Sequence, residues 1–285
     1  MAAIWEGVLK QPFSIFQIDN VDRDDPLHGS KILLARANEG LLELERICDS
    51  HFTENPPQIR EHVDRTSGER VFTLAVEKTL PPLVEVLVGE IIHRLRTALD
   101  HLVAAFVRLN GKEPDQLDAF PIARTKRQHR QACVAKLAKI DIKGQSFLSG
   151  VNAFKSGNEP IWLLAKIDNA DKHDRLLRVD AIVPKVNPQL GLPALFIGDE
   201  PAGFHLGPLD IQDDRPSHVH VQNGAELLRI KWGGPIRLSD TKFIIVFDRP
   251  QEANGLNMCT LVLSQMDAVE RIVRDAEAEF FAGPG

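Results

Sequence analysis

Cysteine is scarce in this chain: Cys48, Cys133 and Cys259 are odd in number, far apart and without CxxC or Cys/His ligand spacing. That argues against a disulfide framework or a zinc finger, and a reducing, cytoplasmic setting is expected. Long apolar runs are missing too. Nowhere do eighteen apolar residues follow one another, and the N-terminal MAAIWEGVLKQPFSIF has no basic segment ahead of an apolar stretch, so neither a membrane span nor a secretion leader is expected. The Gly-rich phosphate loop, the GxSxG elbow and HExxH are all absent, which disfavours nucleotide-driven chemistry and serine hydrolysis.

What remains is an ordinary globular composition, 43% hydrophobic and 26% charged over 285 residues, enough chain to bury a sizeable core without metals or cross-links. The formal charge of 34 − 40 = −6 speaks against a general nucleic-acid coat, so a basic patch has to be found by position.

Residues 28–52 place apolar side chains at helical spacing and predict an amphipathic helix interrupted near Gly40. Residues 59–78 alternate apolar and charged positions around Ser67-Gly68, the pattern of a β-hairpin. A long helix is expected over about 83–109, opened by Pro81-Pro82 and stopped by Asn110-Gly111, with an apolar stripe wide enough to cover more than half its circumference. Further helices are expected near 125–139 and 160–178. After residue 178 the runs RVDAIV, LPALFI, HLGPLDI, HVHVQ, ELLRIKW and KFIIVF are short and separated by Pro, Gly and Asp, as in a meandering antiparallel sheet, and a last helix near 259–282 packs back. The expected fold is α+β: a helical bundle with a hairpin over 1–180, then a β-rich part with its closing helix over 181–285.

Chemistry-bearing residues gather at three places. The first is GEIIHRLRTALDHLVAAFV, 89–107, where a helix built for a core also carries His93, Arg94, Arg96, Asp100 and His101. Two imidazoles, a guanidinium and a carboxylate are the groups that proton transfer and anion stabilisation require; a face laced by i,i+4 ion pairs explains them equally well. The second is IDNADKHDR, 167–175: Asp168, Asp171, Lys172 and Arg175 project from one side and Asn169 and His173 from another. If the two helices pack together, Lys172 and His173 approach Asp100 and His101. The third is the run 122–143, in which Arg124, Lys126, Arg127, Arg130, Lys136, Lys139 and Lys143 face only Asp141. This asymmetry favours a phosphate-rich partner, although no aromatics are interleaved for base stacking.

Arg96-Thr-Ala-Leu-Asp-His101, an arginine followed after four residues by a histidine on a helix of a bundle, resembles the signature of the HEPN family. The wider pattern LRTALDHL, FPI and LAKIDNADKHDRLL is similar to a widespread bacterial family. The HEPN likeness covers the helical half and implies a metal-independent ribonuclease of toxin or defence type, acting as a homodimer whose subunits bring their Arg/His motifs together. It implies that Arg96 holds the scissile phosphate and that His101 assists proton transfer, with Asp100 orienting a histidine and Lys172 or His173 in support. On that reading His93, Asn169, Arg124, Lys126, Arg127 and Arg130 contact RNA and no cofactor is needed. Thr97 departs from the polar residue usual after the arginine, and Arg96 and His101 leave an ideal helix about 140° apart.

Two other functions stay open. His218-Val-His220, with His205 upstream, puts two imidazoles on one strand face and would suit a hydrolase using a divalent metal. A non-catalytic interaction module, whose polar helix faces tie the bundle together, is the other. Cys133, near His129 and Arg130, offers thin support for a thiolate nucleophile.

Overall fold

The computed structural model describes residues 16–173, 177–184, 218–230 and 244–282. The fold is α+β, as composition and patterning predict, with six α-helices and two three-stranded sheets among the described residues. Two compact units divide it. Residues 16–46, 82–173, 177–179 and 247–282 form a helical unit, and residues 47–81, 180–184, 218–230 and 244–246 form a β-rich one.

The helical unit is built around α2 (Pro82–Leu109), whose apolar side chains are buried nearly all round, from Val84 to Val107. Pro82 sits in the first turn, where its missing N–H costs nothing. The far end closes at Gly111, in the left-handed region at φ 68°. Gly111 donates to the Arg108 carbonyl and Lys112 to that of Val107, the paired bonds of a Schellman stop. α5 (Glu159–His173) and α6 (Met258–Ala276) pack on α2 and on each other.

α1 (His28–Glu54) runs without a break through Gly40, where the sequence reading places an interruption. The glycine serves packing: a Cβ there would stand 3.0 Å from Ile91 on α2. Close approach of the two helices holds Gly40 inside the helix against its propensity. Three turns earlier, a Cβ on Gly29 would meet the His101 imidazole. The last turns of α1, from Ile47, belong to the β-rich unit.

α3 (Lys126–Lys136) starts at Thr125, whose hydroxyl accepts from the Gln128 N–H at 3.3 Å. α4 (Ile142–Gly150), which periodicity does not reveal, starts at Asp141, whose carboxylate accepts from Gly144 N–H at 2.9 Å. α5 is described as far as His173, and it does not reach the expected 178, because Arg178 already opens a strand. α6 gives way after Ala276 to one π turn, Glu277–Phe281. That turn sets Phe280 and Phe281 edge-on against Phe106.

In the β-rich unit, β1 (Gln58–Val63) and β2 (Arg70–Ala75) form the expected hairpin, with Gln58 opposite Ala75 and Val63 opposite Arg70. β2 buries Val71, Phe72, Leu74 and Ala75, so both its faces are covered, as suits a central strand. Its second edge is taken by β5 (Glu226–Ile230), antiparallel, with a bulge at Phe72/Thr73. The other sheet orders β4 (His218–His220), β3 (Arg178–Pro184) and β6 (Ile244–Arg249), with Ile182 opposite His220. The C-terminal strands therefore do not form one meander, because β5 leaves its sequence neighbours to complete the hairpin. LPALFI and HLGPLDI lie outside the described residues. No described helix is long and apolar enough to cross a membrane.

Candidate functional site

α2 and α5 meet where their polar flanks coincide. Gly89 leaves room there for α5: the Asp171 carboxylate comes within 2.8 Å of where a Cβ would stand. One turn on, His93 faces Asp168, which is only 3% exposed. The His93 Nδ1–H donates to Asp168 Oδ1 at 3.0 Å, and the Lys172 ammonium, one turn further along α5, donates to Oδ2 at 2.8 Å. A carboxylate facing an ammonium only accepts, so in the neutral ring the hydrogen belongs on Nδ1 and the lone pair on Nε2. The His93 side chain is 52% exposed. An oriented imidazole and a partly exposed cation thus share one buried carboxylate. That set can take up a proton beside an anion.

Two turns from Gly89 along the same helix, charged groups meet a different fate. Arg96 donates through Nη1 to Asp100 Oδ1 at 2.7 Å and through Nη2 to the Phe120 carbonyl at 3.4 Å. The same carboxylate oxygen accepts the Phe120 N–H at 2.8 Å. With 13% of its side chain exposed, Arg96 clamps the chain after α2. The Lys136 ammonium is held below its usual range by burial and by the nearby Arg96 guanidinium, with Asp100 partly offsetting them.

The structure therefore brings His93 and Lys172 together, through Asp168, and pairs Arg96 with Asp100. It sets His101 apart from both, with Nδ1 turned against Gly29 of α1. Asn169 is exposed on α5. The His173 side chain lies outside the described residues. Asp168, which the sequence reading places beside Lys172 on α5 without giving it a role, is the member that joins the two. Its signal is the i,i+4 spacing to Lys172, together with an acidic residue on a helix face that must be buried.

Of the seven basic residues in 122–143, Lys139 binds Asp115 and Asp118 at 2.7 Å each, Lys143 lies 3.4 Å from Glu279 and over the Phe280 ring, and Lys136 is half-buried beside Arg96. The other four, Arg124, Lys126, Arg127 and Arg130, are exposed and make no ion pair among the described residues. They crowd the start of α3, whose first turn holds no acidic residue. Cations at a helix N-terminus oppose its dipole, so this surface is improved by an anion brought from outside.

The remaining candidates are weaker. Cys133 Sγ lies 3.7 Å from His129 Nε2, but burial pushes the thiol up and the imidazole down, which keeps both neutral and works against a thiolate. Burial pushes the Cys48 thiol up to about 12. For the metal alternative, His220 Nδ1 is held by Asp180 at 2.6 Å, while His205 and the His218 side chain lie outside the described residues. Among the described residues no group of three or more His, Cys, Asp or Glu could hold a metal ion. In the helical unit a cavity of about 410 Å³ is lined by Lys155, Trp162, Leu163, Leu256 and Leu261 among others, and in the β-rich unit a pocket of about 20 Å³ lies beside His51 and Asp180. Neither is lined by His93, Arg96, Asp100 or His101. Comparison of the chain with protein-family models, with curated proteins and with solved structures finds no match to any of them.

Proposed function

We propose that the protein acts on RNA, holding the phosphate backbone on the basic surface at the start of α3 and cleaving a phosphodiester without a metal ion. The observation that carries this reading is the set of four exposed cations, Arg124, Lys126, Arg127 and Arg130, which have no carboxylate partner among the described residues in a chain of net charge −6. Cations placed against a helix dipole and left unneutralised suit a polyanion. The likeness of Arg96 and His101 to a ribonuclease motif supplies the reaction class, and a homodimer belongs to the same proposal.

The test is the binding and cleavage of a single-stranded RNA oligonucleotide by the wild-type protein in EDTA. Binding is expected to weaken with salt, with log K falling by about 0.7 per phosphate neutralised against log salt. Replacing Arg124, Lys126, Arg127 and Arg130 by Glu is expected to abolish binding and cleavage while leaving the fold intact. A quadruple variant that binds RNA as tightly as wild type contradicts the reading.

A second reading has its own observation. The guanidinium of Arg96 is already taken by Asp100 and the Phe120 carbonyl, as expected of a module in which polar helix faces tie the bundle together. RNA binding without any cleavage favours it.

A further inference from the structure

We infer that His93 is the proton-transferring residue of this protein, that Asp168 positions it, and that Lys172 supplies the positive charge met there by a phosphodiester. The inference rests on the RNA reading above and assigns its chemistry to these residues in place of Arg96 and His101.

The geometry narrows the roles. Asp168 is buried, and its two oxygens receive different donors, the His93 ring at Oδ1 and the Lys172 ammonium at Oδ2. With Nδ1 held by Oδ1 and half of the side chain exposed, Nε2 is the ring nitrogen left for a substrate, and in the neutral ring it carries the lone pair. All three residues sit on helices that pack together, and such elements hold side chains more tightly than loops do. Gly89, one turn before His93, keeps α5 close. The competing pair is poorly placed within one protomer. Arg96 already donates to two internal acceptors, and His101 Nδ1 is turned against α1.

The step balances without a co-reactant. Nε2 of His93 takes the proton of a ribose 2′-hydroxyl as that oxygen bonds to the adjacent phosphorus. The bond from phosphorus to the 5′ oxygen breaks, and the departing oxygen takes a proton from water while the Lys172 ammonium faces the phosphate charge. The imidazolium then gives its proton to the hydroxide left behind. The products carry a 2′,3′-cyclic phosphate and a 5′-hydroxyl. Throughout the step Asp168 holds the imidazole in one tautomer and faces the imidazolium as it forms.

The test uses the full chain and an end-labelled single-stranded RNA in EDTA, reading kcat, KM and the dissociation constant. His93→Ala is expected to lower kcat by about 10²–10⁴-fold with KM unchanged, and added imidazole to restore part of the loss. Asp168→Asn, which keeps the shape of the buried group, is expected to lower kcat without raising KM, and Lys172→Arg to retain more rate than Lys172→Ala. Arg271→Ala, on an exposed ion pair of α6, is the control expected to match wild type. If His93→Ala does not fold, His93→Gln takes its place. Cleavage at the wild-type rate by the His93 variant, or a loss that imidazole does not touch, overturns the inference while RNA action stands. Wild-type protein that binds RNA and leaves it intact also overturns it, and protein that does not bind RNA removes the reading beneath it.

Discussion

His93 and Arg96 lie three residues apart on α2, and both contact a carboxylate, yet they end in opposite conditions. Arg96 gives its donors to Asp100 and to the Phe120 carbonyl, and Asp100 in turn accepts the Phe120 N–H. The Arg96 guanidinium and the Asp100 carboxylate answer each other, and what results is a clamp on the segment following α2. His93 uses one ring nitrogen on Asp168 and keeps the other for solvent. The same helix thus carries a structural pair and the group to which we assign proton transfer. What separates them is exposure: the Arg96 side chain is 13% exposed and bonded to two internal acceptors, whereas that of His93 is 52% exposed.

The sharpest way to break this contrast is at the clamp. Asp100→Ala leaves a mostly buried guanidinium with only the Phe120 carbonyl and strips the Phe120 N–H of its acceptor. The pair is part-buried, with the Asp100 side chain 36% exposed, so the penalty is that of an unpaired donor rather than of a fully buried charge. A loss of about 1–3 kcal/mol in urea unfolding is expected. A loss below about 0.5 kcal/mol, the range of an ordinary surface substitution, would mean that the Arg96 network holds nothing in place.

A smaller effect sharpens the contrast between an exposed histidine and a buried one. Burial holds the His129 imidazole below its usual range, with the Pro121 carbonyl partly offsetting it. His129 therefore stays neutral in the folded protein while the unfolded chain begins to take up a proton near about pH 6.5. Below that pH the unfolded state binds more protons, so this contribution to stability is present above it and is lost as the pH falls. The unfolding midpoint is expected to drop between pH 7 and pH 5, and His129→Gln to flatten that drop by roughly 1 kcal/mol or less. His51, lowered likewise by burial, keeps part of the slope in the variant. An identical pH dependence in variant and wild type would show that His129 is not neutral in the folded state.

The patterning of α2 makes its burial readable from the sequence, because a stripe covering more than half a helix has one use, and the hairpin and the helix stops follow from turn chemistry at Gly68 and Gly111. Other features depend on partners distant in the chain. Gly40 is a helix breaker by propensity, and only the closeness of Ile91 explains why α1 continues through it. α4 is short and carries glycine and serine, so its start is marked by Asp141 alone. β5 pairs with a strand some 150 residues earlier, a choice that local alternation does not encode. At the site, spacing identifies both polar flanks of α2, and the wheel already parts Arg96 from His101. The register between α2 and α5 is beyond it: the helices meet with Gly89 under Asp171 and His93 against Asp168, so Lys172 joins His93 while Asp100 turns to Phe120.

The most direct test of the account is the tautomer of His93, read from the ¹⁵N shifts of its ring in the folded protein at a pH where the imidazole is neutral. The account predicts the hydrogen on Nδ1 and a bare Nε2, with the preference weakened in Asp168→Asn. A ring carrying its hydrogen on Nε2, unaffected by Asp168→Asn, would contradict it.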